Sequence, residues 1–142
     1  MGVDTIKGVD NMINEYKRDA EAGNANAQFN LGLCYFNGSG IPVDKLEAFK
    51  WCKRAAEAGF VEAMFNLGAF YSEGEGIAVD KFEAFKWCKR AAEAGHKEAM
   101  FKLGLCYMKG EGIAVDKFEA FKWFKRAAEA GHKEAYFKAR RP

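Results

Sequence analysis

The stretch Ile77-Ala-Val-Asp-Lys-Phe-Glu-Ala-Phe-Lys-Trp-Cys-Lys-Arg-Ala-Ala-Glu-Ala-Gly95 decides the fold, because it returns as Ile113 to Gly131 with a single change, Cys88 to Phe124. Its closing hexapeptide, Arg-Ala-Ala-Glu-Ala-Gly, stands at Arg54–Gly59, Arg90–Gly95 and Arg126–Gly131, with a degenerate copy at Arg18–Gly23. The final glycines are 36 residues apart, and a period of that length marks a repeat array. The 142-residue chain therefore divides into an N-terminal capping helix over 1–23, repeats over 24–59, 60–95 and 96–131, and a truncated C-terminal helix over 132–142, together one repeat domain. Ile77–Lys102 and Ile113–Lys138 differ only at Cys88 against Phe124 and Met100 against Tyr136, which points to recent duplication or to consensus engineering.

Each unit reads as two helices and one loop. Helix A begins near Asn26, Glu62 and Glu98 and stops at Gly38, Gly74 and Gly110, where glycine tolerates the left-handed turn that ends a helix. Helix B opens at Asp44, Asp80 and Asp116, each followed three residues later by Glu47, Glu83 or Glu119, an aspartate form of the capping box, with Val43 and Ala48 at the staple positions. Ala48, Phe49, Trp51, Cys52, Ala55 and Ala56 recur at spacings of three, four and seven, a wide apolar stripe suited to a helix packed between two others. The fold expected is all-α, a right-handed superhelical solenoid of antiparallel hairpins in which each unit takes part of its core from the next.

Composition narrows the function. Hydrophobic residues make up 49% and charged residues 30%, so a folded chain is expected. A net charge of +2 singles out neither nucleic acid nor an anionic membrane as partner. No stretch reaches the roughly 18 apolar residues of a membrane span. Met1-Gly2-Val3-Asp4 does not begin a secretory leader. The hydroxyl nucleophiles are Thr5, Ser39 and Ser72 and the histidines His96 and His132, too few and too scattered to suggest an active site.

Leu67, Gly68, Tyr71, Gly74, Gly76, Asp80, Ala84, Trp87, Lys89, Ala91, Ala92 and Gly95 resemble the signature of the Sel-one-like repeat (SLR) family, a relative of the tetratricopeptide repeats. The same signature recurs from Leu31 and from Leu103, so the resemblance covers residues 16–138. It implies an adaptor that holds other proteins together. One secreted branch of that family carries disulfides between the end of helix B and the start of the next helix A and has been associated with β-lactams. Here Ala56 and Met64, then Ala92 and Met100, occupy the cysteine positions. The Ser-x-x-Lys motif of β-lactam enzymes is missing too, since Ser39 leads to Pro42 and Ser72 to Glu75.

The remaining reactive residues have structural explanations. Cys52 and Cys88 lie on equivalent helices about 10 Å apart, beyond the roughly 7 Å reach of a disulfide, and all four cysteines are expected to be reduced core side chains. Reduced thiols favour a cytoplasmic location, with a secreted protein whose leader was trimmed as the alternative. Neither histidine has a second ligand at metal spacing, and the Gly74-Glu75-Gly76 type of pair reads as a turn and not as a phosphate loop. Lys50, Lys53 and Arg54 stack with their equivalents into a basic outer stripe, with Lys53 and Glu57 as an i,i+4 pair. No metal, cofactor, nucleic acid or membrane is expected as a ligand, and the chain is expected to be a monomer.

Functional interest centres on helix A. Counting from the Leu-Gly signature puts Phe29, Leu33 and Phe36, then Glu62, Phe65 and Ser72, then Phe101, Leu105 and Met108 on the concave face, where a protein or peptide partner would bind. Phe29, Phe65 and Phe101 recur with the period, so they either form an aromatic row facing the partner or pack between units. The competing function is a structural or engineered consensus scaffold with no natural ligand.

Overall fold

In the three full units helix A ends where the sequence provides a glycine in the left-handed region: Gly38, Gly74 and Gly110 have φ of 72°, 73° and 76°, and their N–H groups donate to the carbonyls of Cys34, Phe70 and Cys106. The computed structural model describes residues 2–140, so Met1, Arg141 and Pro142, the outermost ends of the two expected terminal helices, lie outside the described residues. The described residues contain eight helices and no strand: α1 (Gly2–Glu21), α2 (Ala25–Asn37), α3 (Lys45–Glu57), α4 (Val61–Glu73), α5 (Lys81–Glu93), α6 (Lys97–Lys109), α7 (Lys117–Glu129) and α8 (Lys133–Ala139). The A helices are α2, α4, α6 and the short α8. The B helices are α3, α5 and α7, with α1 in the place of a B helix before the first unit.

Asp44, Asp80 and Asp116 cap the B helices as expected, each Oδ1 accepting from the N–H of Glu47, Glu83 or Glu119 at 3.0–3.1 Å. The capping box is only half made. The aspartate N–H groups donate instead to the carbonyls of Tyr35, Tyr71 and Tyr107, which ties the loop back onto helix A of the same unit. The glutamates turn to Lys50, Lys86 and Lys122 at i+3. Val43 does not act as a staple, being 57% exposed. Its Cγ2 lies where a Cβ on Gly38 would be, so it covers the helix end. Lys53 and Glu57 are not within ion-pair distance of each other among the described residues, which moves the outer charge pairing to the i,i+3 spacing.

Packing follows chain order, each helix against the one before and the one after. Within a unit the two backbones approach closely, because a Cβ on Gly32 or Gly68 would lie 3.2–3.3 Å from the carbonyl oxygen of Ala48 or Ala84. Leu31, Leu67 and Leu103 are fully buried at the centre of each unit, beside alanines that let the helices come together. Between units, the second loop glycine sets the spacing. Gly112 (φ 77°) lies against the Lys81 carbonyl and Gly76 (φ 74°) against the Lys45 backbone, so each loop rests on the start of the preceding helix B. Arg54, Arg90 and Arg126 stack on Trp51, Trp87 and Trp123 at 4.4–4.5 Å along the outer surface.

Both ends of the stack depart from the repeat. Ala55, Ala91 and Ala127 are fully buried, whereas Asp19 holds that position in α1. Gly32, Gly68 and Gly104 are matched at the other end by Arg140, whose guanidinium stacks on Tyr136. Charge at positions that are otherwise closely packed gives each end the polar finish that a repeat stack needs. Gln28, in the place of Met64 and Met100, donates to the Ala20 carbonyl at 3.1 Å and anchors α1 to α2.

Candidate functional site

The residue that opens each A helix joins it to the one before. Phe60, His96 and His132 stack on Phe29, Phe65 and Phe101 with ring centroids 5.1, 4.6 and 4.4 Å apart. The histidines do more than stack. Nδ1 of His96 accepts from the Ala99 N–H, and Nδ1 of His132 from that of Ala135, so each ring serves as the N-cap of its helix. The hydrogen bonding therefore puts the ring proton on Nε2, which donates to Glu62 at 2.9 Å and to Glu98 at 2.7 Å. Glu62 and the aromatic row thus couple successive units.

Phe101 is a correction to the expected surface. It is 5% exposed and belongs to the core, because Phe124 stands where the other units have cysteine and its ring packs on Phe101 at 5.6 Å and over Gly104. Phe29 and Phe65 are half-buried: one side of each is covered by its stacking partner, and each also lines a groove.

Two grooves lie between successive A helices. The first, about 290 Å³, runs between α2 and α4 and is lined by Phe29, Leu33, Phe36 and Asn37 on one side and Asn66, Ala69, Phe70 and Glu73 on the other, with Glu75 at its end. The second, about 220 Å³, runs between α4 and α6 past Phe65, Ala69, Ser72 and Glu73 to Lys102, Leu105, Cys106 and Lys109. Ala69 and Glu73 line both grooves and form their common wall. Of the residues expected on this face, the grooves bring together Phe29, Leu33, Phe36, Phe65, Ser72 and Leu105. Met108 packs against the core beside them. Asn66, Lys102, Glu75 and Glu111 were not expected there. The first two lie one residue beyond Phe65 and Phe101, a stripe that turns toward the neighbouring A helix.

The thiols at the groove floors are unreactive in character. Burial pushes the Cys52 and Cys88 thiols up to about 12, and each Sγ donates to a backbone carbonyl, of Ala63 or Ala99, at 3.3 Å. Burial also raises Cys34 and Cys106 above the ordinary thiol value. All four cysteines are free. In the folded protein at pH 8, a thiol-specific reagent should therefore label the half-buried Cys106 first. Cys52 and Cys88, with roughly one molecule in ten thousand as thiolate, should react only on unfolding, when all four sites become accessible. Rapid native labelling of Cys52 or Cys88 would contradict this packing. Among the described residues no three His, Cys, Asp or Glu side chains form a group able to hold a metal ion, and no helix is long and apolar enough to cross a membrane.

Paired helices in register, joined by repeated aromatic contacts and open in grooves along one face, define a helical-repeat solenoid. The Sel1 repeat model matches residues 25–60, 61–96 and 97–132, and the chain belongs to that family. A Sel1 repeat protein from Oxalobacter formigenes is 37% identical with a TM-score of 0.83, the match covering 89% of this chain and 95% of that one. A protective antigen present in uropathogenic Escherichia coli strains, displaying an SLR fold, is 41% identical with a TM-score of 0.82 over 84% of this chain, but this chain spans only 26% of its length. Cysteine rich protein B of Helicobacter pylori shares the fold at 22% identity and a TM-score of 0.71, over 92% of this chain and 93% of that one. None of the curated proteins matches the sequence. Sel1 repeat proteins are generally protein-interaction scaffolds and are typically not enzymes.

Proposed function

We propose that the chain is a protein-interaction module without catalytic activity that holds a segment of a partner protein in the two grooves between its A helices. One observation carries the reading. The second and third units differ at eight positions, and six of these place a side chain in a groove: 66/102, 69/105, 70/106, 72/108, 73/109 and 88/124. Their B helices from Lys81 and Lys117 are otherwise identical. Phe70 and Phe124 also serve the core, whereas Asn66, Ala69, Ser72 and Glu73 vary against their counterparts at half-buried or exposed positions on the groove side, and that variation supports a task performed there. The packing of Cys52 and Cys88 as reduced core side chains supports the accompanying proposal of a reducing, cytoplasmic setting.

Phe65 is a poor residue with which to test this reading, because its ring also supports His96. Ala69 is better placed: half-buried and in the wall between both grooves. Ala69→Arg should weaken a captured partner by about 2 kcal/mol or more, the scale of a central hot spot. Lys86→Glu, on the outer surface, should retain that partner. Equal capture by Ala69→Arg and loss with Lys86→Glu would transfer the interaction to the outer stripe.

A further inference from the structure

The third unit fills from within a space that the first two leave open. The ring of Phe124, on α7, packs on Phe101 at 5.6 Å between centroids and has the Lys138 ammonium 5.8 Å from its own centroid. It covers Gly104 so closely that a Cβ built there would meet it at 2.6 Å. One period earlier these three neighbours are Phe65, Gly68 and Lys102, and two periods earlier they are Phe29, Gly32 and Asn66. All six line the grooves, with Cys88 or Cys52 in the place of Phe124. A Cβ on Gly68 or Gly32 would first meet the carbonyl oxygen of Ala84 or Ala48, at 3.3 and 3.2 Å, where Gly104 meets a ring. The phenylalanine row divides in the same way, since Phe101 is 5% exposed while Phe29 and Phe65 are half-buried.

Size and charge fit the same group. The grooves, of about 290 and 220 Å³, exceed the roughly 150 Å³ in which an apolar cavity holds a benzene ring. The second groove is lined by two carboxylates, Glu73 and Glu111, and two ammonium groups, Lys102 and Lys109, a balance that suits an uncharged occupant. Resting on the interaction module proposed above, we infer that each groove receives one aromatic side chain of a partner protein, seated as Phe124 is seated in the third unit. In the first groove the ring lies over Gly32 and against Phe29, and in the second over Gly68 and against Phe65. Lys102 stands where Lys138 meets the Phe124 ring, so the second groove adds a cation–π contact that Asn66 does not supply in the first.

N-acetyl-phenylalaninamide, one aromatic side chain with both ends blocked and uncharged, tests this by NMR titration of isotope-labelled protein against N-acetyl-leucinamide. The backbone N–H signals of Gly32 and Gly68 should move and that of Gly104 should not, with the aromatic probe binding at least about fivefold tighter than the leucine one. Cys52→Phe/Cys88→Phe supplies the ring from within, as the third unit does, and should abolish the response of Gly32 and Gly68 with the helical circular dichroism kept. Phe124→Cys should open a third groove and make Gly104 respond; if that variant unfolds, the contrast between Gly68 and Gly104 in the wild type still decides. Equal binding of the leucine probe, or movement of Gly104 together with Gly68 in the wild type, would overturn the inference. If the aromatic probe moves neither Gly32 nor Gly68 at millimolar concentration while Ala69→Arg still loses a captured partner, the inference fails and the groove reading stands. If Ala69→Arg also keeps the partner, both fail.

Discussion

Gly112→Ala should lower the unfolding free energy by about 2–5 kcal/mol, combining about 1–2 kcal/mol for a left-handed residue with about 1–3 kcal/mol for forcing an atom into filled space. The added Cβ would overlap the carbonyl oxygen of Lys81, which is backbone at the start of the preceding helix B and cannot turn aside. Gly110→Ala makes the natural comparison. Its φ is nearly the same, but its Cβ would meet the Val115 Cγ2, and that side chain is 55% exposed and free to rotate. Urea denaturation should therefore show a clearly larger loss for Gly112→Ala than for Gly110→Ala, with a single transition in both. Equal losses would mean that the loop does not set the spacing between units.

Leu67→Ala should be comparably damaging and Leu33→Ala nearly silent, although both remove a leucine from an A helix. Leu67, on α4, is fully buried in the main core, where a leucine-to-alanine change costs about 2.7–5 kcal/mol according to how far the cavity collapses. Leu33 is 37% exposed at the mouth of the first groove, and its removal should cost less than about 1 kcal/mol of stability while weakening partner binding. Thermal and urea melts of the two variants separate them. A severe loss in Leu33→Ala would place that side chain in the core and take the first groove out of the binding surface.

What could be read from the sequence were features whose signal is local. Asp44, Asp80 and Asp116 cap the helices they open, and Gly38, Gly74 and Gly110 end the helices they close, since both motifs involve residues within one turn of each other. The half-made capping box shows where that logic stops: the Asp44 N–H is claimed by Tyr35, nine residues back and on another helix. The histidines were hidden for the same reason. His is an unusual N-cap, and the partners that fix its ring, Glu62 and Phe65 for His96, precede it by a whole period. Phe65 turned out to serve both roles that the sequence left open, packing between units on one side and lining a groove on the other. Phe101, at the equivalent position, is buried because of one substitution at Phe124, a contact that counting along helix A does not contain.

The grooves were legible in part. Spacing from the Leu-Gly signature led to Leu33, Phe36, Ser72 and Leu105, which share one stripe. It passed over Asn66 and Lys102, which belong to the next stripe and enter a groove only because another A helix stands beside them. Their importance emerged from comparing units, once the structure showed where the differences between them lie.

Side-chain oxidative footprinting of the complex with a captured partner tests the central claim most directly, because exposed apolar residues occur on both surfaces of the stack. On the groove side Leu33 is 37% exposed, and Phe36, Leu105 and Met108 are half-buried. Along the outer edge Phe82 and Phe118 are 54% and 72% exposed. The account predicts that the partner protects Leu33, Phe36 and Leu105 and leaves Phe82 and Phe118 as reactive as in the free protein. Protection of Phe82 and Phe118, with Leu33 and Leu105 unchanged, would contradict it.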